Sequence, residues 1–462
     1  MKFFNRSRVH FLLLVLVLLI PLKYCPSHSR VNSTKSPPNI SVRENKASTN
    51  NLIFSENFTW GVATSAFQTD GGNGKTDWDA WSKYKKSHPT HPGLTKEDIK
   101  HAREIGIQEL RFSIEWARVE PQEGLWDEKE LSRYYDLALE IESQKIRPLI
   151  NLHHLTIPKW VADKGGLESE NFPALFSIYA KRVAAKMRPL KIKRWMTFNE
   201  PMVPIEMGYL NGLWPPLKKM DIAGANRAEW NIIRAHKLAY KEIHRELNTA
   251  FIKPEVGVAY FDHLYIPRNS NDRDDVRVAE LLDAKGRAMM DALCDHVEYI
   301  GINYYSPCVV AYSEIAPGRN NMPIAASYHR PKGKVTEEGM VVFPEGIRLL
   351  AMRYKKYGKP IIITENGIGD RTDKLRGKFI IDHLRELHVV SEELKNTASP
   401  IIGYFYWTLA DNFEWEKFHV SAFGLIAVNT RTNVRTVRKS AYLYRDIISA
   451  NGVTEKMLND YK

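Results

Sequence analysis

Two short strings, 165 positions apart, carry residue types from which hydrolytic chemistry is built: Thr197-Phe198-Asn199-Glu200-Pro201 and Ile363-Thr364-Glu365-Asn366-Gly367. Each sets a glutamate at the carboxyl end of an apolar run, bounded by Arg194 and Pro201 or by Pro360 and Gly367. Runs of four to six residues rich in Ile, Trp, Phe, Met and Thr read as buried strands. Two carboxylates delivered to one rim of a barrel suit glycoside hydrolysis with retention. One protonates the leaving oxygen while the other attacks the anomeric carbon from about 5 Å away. A lone strand-end glutamate is more commonly half of a structural ion pair. Here Asn199 stands beside Glu200, where its amide can hydrogen-bond a sugar hydroxyl. Asn366-Gly367 predicts a tight turn, with Gly supplying φ > 0, that aims Glu365 at a cleft. Pro201 cannot donate to a ladder and ends its strand.

The elements that must position these groups recur regularly. Strands are expected at Phe58–Ala63, Glu109–Trp116, Arg147–His154, Arg194–Asn199, Val256–Phe261, Tyr299–Tyr305, Pro360–Glu365 and Ile402–Leu409. Amphipathic helical patterns lie between them at Leu94–Ile105, Glu128–Gln144, Phe172–Lys186, Glu229–Asn248, Asp275–Leu293, Pro344–Tyr357, Phe379–Leu394 and Ser440–Ser449. Near-continuous apolar strands alternating with helices indicate a parallel sheet, and eight such units a closed barrel. The expected fold class is therefore α/β, a single (β/α)8 TIM barrel over residues 52–462. Glu200 ends its fourth strand and Glu365 its seventh, at the carboxyl rim where such barrels do their chemistry.

The two glutamate strings resemble the acid/base and nucleophile signatures of family 1 glycoside hydrolases, the β-glucosidase family. The likeness runs from about Asn57 to about Ser449. It implies Glu200 as acid/base, Glu365 as nucleophile, and a reaction needing no metal or cofactor. Gln68, in Ala63-Thr64-Ser65-Ala66-Phe67-Gln68, is similar to the family's sugar-reading glutamine, although Asp70 stands where Glu is usual. Arg111, costly to bury unpaired, is expected to face Glu365 and hold its charge. In Leu152-His153-His154 the adjacent histidines should point to opposite strand faces, which argues against a shared metal and leaves His154 to a sugar hydroxyl. Asn303 and Tyr305 lie in Gly301-Ile302-Asn303-Tyr304-Tyr305, and Tyr305 is expected to orient the nucleophile. Trp407 offers an aromatic platform; Glu414 and Trp415 match the readers of the outer hydroxyls. The chain departs from the family at Leu155-Thr156, where Trp-Asp is usual, so the floor of the sugar site is altered. Beyond Trp415 the Ser/Lys/Tyr pattern that holds a sugar 6-phosphate is missing, which favours a neutral sugar. Leu152–Gly166, Ile363–Asp373 and Val428–Lys456 are also similar to a membrane-attached plant branch, the galactolipid galactosyltransferases.

The net charge of +12 suggests nucleic acid until it is located. Residues 1–50 carry eight Lys/Arg against Glu44 alone, so +7 sits there and only +5 is spread over the remaining 412. Nucleic-acid binding is excluded on that ground. Lys2, Arg6 and Arg8 precede an apolar run from Phe11 to Leu22. Twelve residues fall short of the roughly 20 that span a bilayer comfortably and suit the core of a signal peptide. No clear small-x-small site follows, Ser27-His28-Ser29 being the best available, so residues 1–25 fit either a cleaved signal peptide or a signal-anchor. Residues 26–51, rich in Ser, Asn, Lys and Pro, read as a disordered tether. Membrane association through the amino terminus is expected, with the barrel on the non-cytoplasmic side. Asn32, Asn39 and Asn57 head glycosylation sequons. Cys25, Cys294 and Cys308 form no disulfide framework, and the last two are expected to be buried apolar thiols.

Three functions fit: a retaining exo-β-glycosidase on β-D-glucosides or β-D-galactosides, a transglycosylase acting on glycolipid with the same glutamates, and a silent receptor. Glu200, Glu365, Arg111 and Tyr305 are all present, which argues against the silent reading.

Overall fold

The computed structural model describes residues 50–84, 93–249, 252–313, 326–329, 333–415 and 421–462. The expected leader, Cys25, the tether up to residue 49, the sequons at Asn32 and Asn39, and residues 416–420 of the phosphate-loop comparison lie outside them. Among the described residues no helix is long and apolar enough to cross a membrane.

Eight strands close a barrel: β1 (Thr59–Ala63), β2 (Glu109–Ser113), β3 (Arg147–His154), β4 (Arg194–Asn199), β5 (Glu255–Phe261), β6 (Tyr299–Asn303), β7 (Ile361–Asn366) and β8 (Ile401–Trp407). Each pairs in parallel with its sequence neighbours, and β8 pairs with β1 to complete the ring. Parallel strands covered on both faces bury everything they carry, as the apolar runs predict. Ile361, Ile362 and Ile363 are fully buried, each stabilising the fold by at most about 3 kcal/mol on transfer grounds. Leu149, Met196, Ala259, Tyr299, Ile362 and Phe405, from six different strands, meet in one layer. Glycine makes room for the two large rings. A Cβ at Gly61 would lie 2.5 Å from Phe405, and one at Gly257 would lie 2.5 Å from Tyr299.

Four of the expected helices begin at a side-chain cap. Thr95 and Asp98 make a reciprocal capping box for Lys96–Ile105. Asp127 caps Glu128–Ser143, and Asp272 caps Arg273–Leu293. Ile222–Leu247 begins seven residues before the expected Glu229. Its Asp221 cap accepts from the Gly224 amide at 2.8 Å, but the small residues of its first turns carry no apolar period to betray it. The remaining helices, Phe172–Met187, Glu345–Tyr354, Arg376–Leu394 and Lys439–Ser449, fall within a few residues of expectation.

The departures cluster at the carboxyl rim. The second strand, expected to reach Trp116, stops at Ser113, and Glu115 caps a helical turn, Trp116–Val119. The sixth ends at Asn303 rather than Tyr305, the eighth at Trp407 rather than Leu409, and the seventh runs on to Asn366. A second, three-stranded sheet of Leu264–Pro267, Pro307–Tyr312 and Ala326–His329 grows from the loops after β5 and β6. After β4 the chain winds into a π-helical turn, Glu206–Leu210, a rare geometry frequent at functional sites. Cys294 and Cys308 are partly exposed rather than buried; one lies in a turn after a helix and the other in the rim sheet.

Candidate active site

β4 and β7 bring Glu200 and Glu365 to the same rim. Glu200 follows the last strand residue and takes φ 49, a left-handed value that costs a non-glycine residue roughly 1–2 kcal/mol. Its amide is tied to the Ala259 carbonyl at 2.8 Å. Glu365 is 3% exposed within β7, and both its oxygens are engaged. Arg111 donates through Nη2 to Oε1, and the Tyr305 hydroxyl donates to Oε2 at 2.6 Å. Tyr404 and the Tyr304 carbonyl fix Asn366 by hydrogen bonds of 2.9 and 2.8 Å. The turn itself corrects the expectation. Gly367 is absent from the left-handed glycines, and glycine is needed there because the Trp407 carbonyl lies 2.0 Å from where its Cβ would stand.

A chain of hydrogen bonds links the two carboxylates through the floor. Arg111 Nη1 donates to Asn199 Oδ1 at 3.0 Å, and Asn303 Nδ2 donates to the same oxygen at 3.1 Å and to Glu200 Oε1 at 2.7 Å. Asn199 therefore spends its carbonyl on the network, leaving its amide 3.5 Å from His154 Nε2. Sequence reasoning passed over Thr364, whose hydroxyl donates to Asn303 Oδ1 at 2.7 Å and so sets which end of that amide faces Glu200. Its only signal was its place beside Glu365.

The electrostatics separate the two acids. Burial, and then the Glu365 charge, push the Glu200 carboxyl up to about 8; the Asn303 hydrogen bond and the Arg111 and His263 charges oppose the rise. The Tyr305 hydroxyl is held well above its ordinary range by burial and by Glu365, which keeps it a donor.

The predicted sugar readers form the facing wall. Gln68 Nε2 donates to the Phe413 carbonyl at 2.7 Å and to Glu414 Oε1 at 3.2 Å, and Trp407 Nε1 lies 3.3 Å from that oxygen. The His154 ring is nearly parallel to that of Trp407, with centres 5.7 Å apart, and to that of Trp415, at 6.1 Å. Burial and the Arg111 charge hold its imidazole well below the ordinary range. His153 points the other way, against Phe198 at 5.0 Å, so the pair is divided between two faces. Trp415 is only 8% exposed and packs with Phe67, Trp78, Trp214 and Leu155. Leu155 at φ 69 fills that apolar cluster, while the Thr156 hydroxyl donates to Glu115 at 2.8 Å. Asp70 pairs with Arg133 at 3.0 Å.

This barrel and rim place the chain among known proteins. The glycosyl hydrolase family 1 model matches residues 50–294 and 283–453, and the chain belongs to that family. It is a β-glucosidase-like glycoside hydrolase. A β-galactosidase of Pyrococcus woesei is 27% identical over 520 residues, covering 88% of this chain and 99% of that one. The chloroplastic galactolipid galactosyltransferase SFR2 of Arabidopsis thaliana is 30% identical over 380 residues, covering 78% of this chain but 58% of its own length. The solved β-glycosidase from Pyrococcus horikoshii superposes with a TM-score of 0.81 at 30% identity, covering 89% of this chain and 98% of that one.

Proposed function

We propose that the chain is a retaining exo-β-glycosidase hydrolysing neutral β-D-glucosides and β-D-galactosides by double displacement. The observation that carries this reading is the unequal treatment of two carboxylates in one hydrogen-bonded network. Glu365 faces a guanidinium and a phenol, whereas Glu200 has an amide and a carboxyl raised to about 8. A carboxyl that keeps its proton near neutrality is a general acid, and one fixed at both oxygens by donors is a positioned nucleophile. Glu365 attacks the anomeric carbon as Glu200 protonates the departing oxygen. The sugar is then carried on Glu365, and Glu200, now a base, takes a proton from the water that releases it. Gln68, Glu414 and Trp407 share one hydrogen-bonded corner suited to outer hydroxyls, and His154 and Asn199 lie nearer the reacting carbon. Trp415 acts on this wall from within its packed cluster, closing it from behind.

The similarity to a galactolipid galactosyltransferase supports a second reading, transfer of the sugar from Glu365 to a glycolipid hydroxyl in place of water. Incubating purified protein with aryl β-glucoside, aryl β-galactoside and galactolipid decides between them. Free sugar as the dominant product supports hydrolysis; oligogalactolipid in its place overturns it. The leader supports a location at a membrane with the barrel on its non-cytoplasmic side. Carbonate extraction tests this: barrel in the pellet means an anchor, a released barrel with a new amino terminus near residue 30 means a cleaved signal, and intact full-length protein in the cytosol contradicts both.

A further inference from the structure

One cluster on the carboxyl rim takes no part in the proposed double displacement. Cys308, in the rim-sheet strand Pro307–Tyr312, places Sγ 3.3 Å from Nδ1 of His263. The other ring nitrogen, Nε2, is 3.5 Å from Oε2 of Glu206, in the π-helical turn. The three come from the segments after β4, β5 and β6. They share the rim with Glu200, since the His263 charge acts on that carboxyl. Phe261 bridges the two places, with its ring 4.7 Å from His263 and 6.3 Å from Tyr305. His263 and Glu206 keep about a fifth of their side chains exposed, at 20% and 19%, and Cys308 is partly exposed. Among the described residues no group of His, Cys, Asp and Glu is arranged to hold a metal ion. The arrangement is instead a nucleophile, a base and a carboxylate that orients the base. Burial opposes a charge on His263, but Cys308 and Glu206 outweigh it and hold the imidazole well above its ordinary range. That is the electropositive, partly accessible setting in which a cysteine becomes reactive.

We propose that Cys308 and His263 form a hydrogen-bonded nucleophile–base pair oriented by Glu206, and that Cys308 is a site of modification by hydrogen peroxide on the rim it shares with Glu200. The sulfur attacks one peroxide oxygen with its electron pair; the S–O bond forms as the O–O bond breaks. The departing hydroxide takes the proton from His263 and leaves as water. The sulfur is oxidised by two electrons to a sulfenic acid, the peroxide is reduced, and His263 is left neutral. The rim sheet gains an oxygen, and the His263 charge that acts on Glu200 is lost. The inhibitory consequence rests on the assignment of Glu200 as acid; the chemistry at sulfur does not.

The test treats full-length protein with hydrogen peroxide, traps sulfenic acid with dimedone and maps the adduct by peptide mass. Cys308 is expected to be trapped at least about tenfold faster than Cys294, and His263→Asn and Glu206→Gln to slow its trapping about tenfold or more. Peroxide should lower kcat/KM for an aryl glycoside in the parent and not in Cys308→Ala, with dithiothreitol restoring it. Equal trapping of Cys308 and Cys294, or unchanged rates in both variants, overturns the reactive pair. Trapping at Cys308 without loss of hydrolysis overturns only the link to Glu200.

Discussion

The two ends of the barrel carry the same kinds of residue and treat them differently. At the amino-terminal end, Glu109 at the start of β2 receives Arg194 at 2.8 Å and Arg147 at 3.2 Å, and Arg194 reaches on to Glu255 at 3.0 Å. At the carboxyl end, Arg111, two residues further along the same strand, meets Glu365 while Glu200 has no cation in hydrogen-bonding contact among the described residues. Both ends hold a buried glutamate whose carboxyl is pushed up by desolvation. A recess of about 790 Å³ even opens at the amino-terminal end, lined by Glu109, Arg147, Arg194 and neighbouring lysines, and it holds none of the predicted site residues. A recess and a perturbed carboxyl are therefore not enough to mark the site. What distinguishes the carboxyl end is a pair of acids of unlike environment joined by amides and bordered by aromatic rings that can face a sugar.

Breaking the pair should have effects in a definite order. Glu365→Ala, removing the proposed nucleophile, is expected to lower turnover of every glycoside by about 10⁴-fold or more, with azide bonding directly to the anomeric carbon as the aglycone leaves and giving only the inverted glycosyl azide. Glu200→Ala is expected to lose about 10² to 10⁴-fold on poor leaving groups, little on activated aryl glycosides in the first step, and to recover with azide, which needs no deprotonation. Failure of azide to rescue it would contradict the acid/base assignment. Glu414→Ala, losing a charged partner for an outer hydroxyl, should cut kcat/KM about 10²-fold while circular dichroism stays unchanged; a near-normal value removes Glu414 from the site.

The pH dependence sharpens the same contrast. As the proposed acid, with its carboxyl raised to about 8, Glu200 holds its proton below that pH and loses it above, so kcat/KM should fall on an alkaline limb near pH 8. The same shift sets stability. From the ordinary value of 4.5 up to about 8, the unfolded chain releases a proton that the folded chain retains, so the parent loses stability over that window. Glu200→Gln should gain Tm relative to the parent as pH rises through it and stay level above. Smallest for activity is the far end: Glu109→Ala should cost about 1–3 kcal/mol of stability by leaving Arg194 and Arg147 short of a partner, with kcat/KM kept within about twofold.

Much of this was legible because the barrel repeats one local rule. Apolar runs alternating with amphipathic helical patterns placed all eight strands, with β3 and β4 matching their residue bounds. The pairing of Arg111 with Glu365 followed from the cost of burying a guanidinium alone, and the parting of His153 from His154 followed from strand alternation. The rim was less readable. Short strands within loops, a π-helical turn and a left-handed Glu200 depend on contacts between segments that no local period records. Gly367 was assigned a turn role from its type, whereas the backbone carbonyl of Trp407, on the neighbouring strand β8, is what excludes a side chain there. Glu206, His263 and Cys308 lie on three separate segments, and only the fold brings them together.

The central claim is that Glu365 carries the sugar. Incubation with a 2-deoxy-2-fluoro-β-glucoside bearing an activated leaving group, followed by intact mass and peptide mapping, tests it most directly, because the fluorine slows release from the enzyme. One added glycosyl unit per chain is expected, on the peptide containing Glu365 and lost in Glu365→Ala. A protein that turns over the unmodified glycoside with inversion and takes up no label, or takes it up on Glu200, contradicts the account.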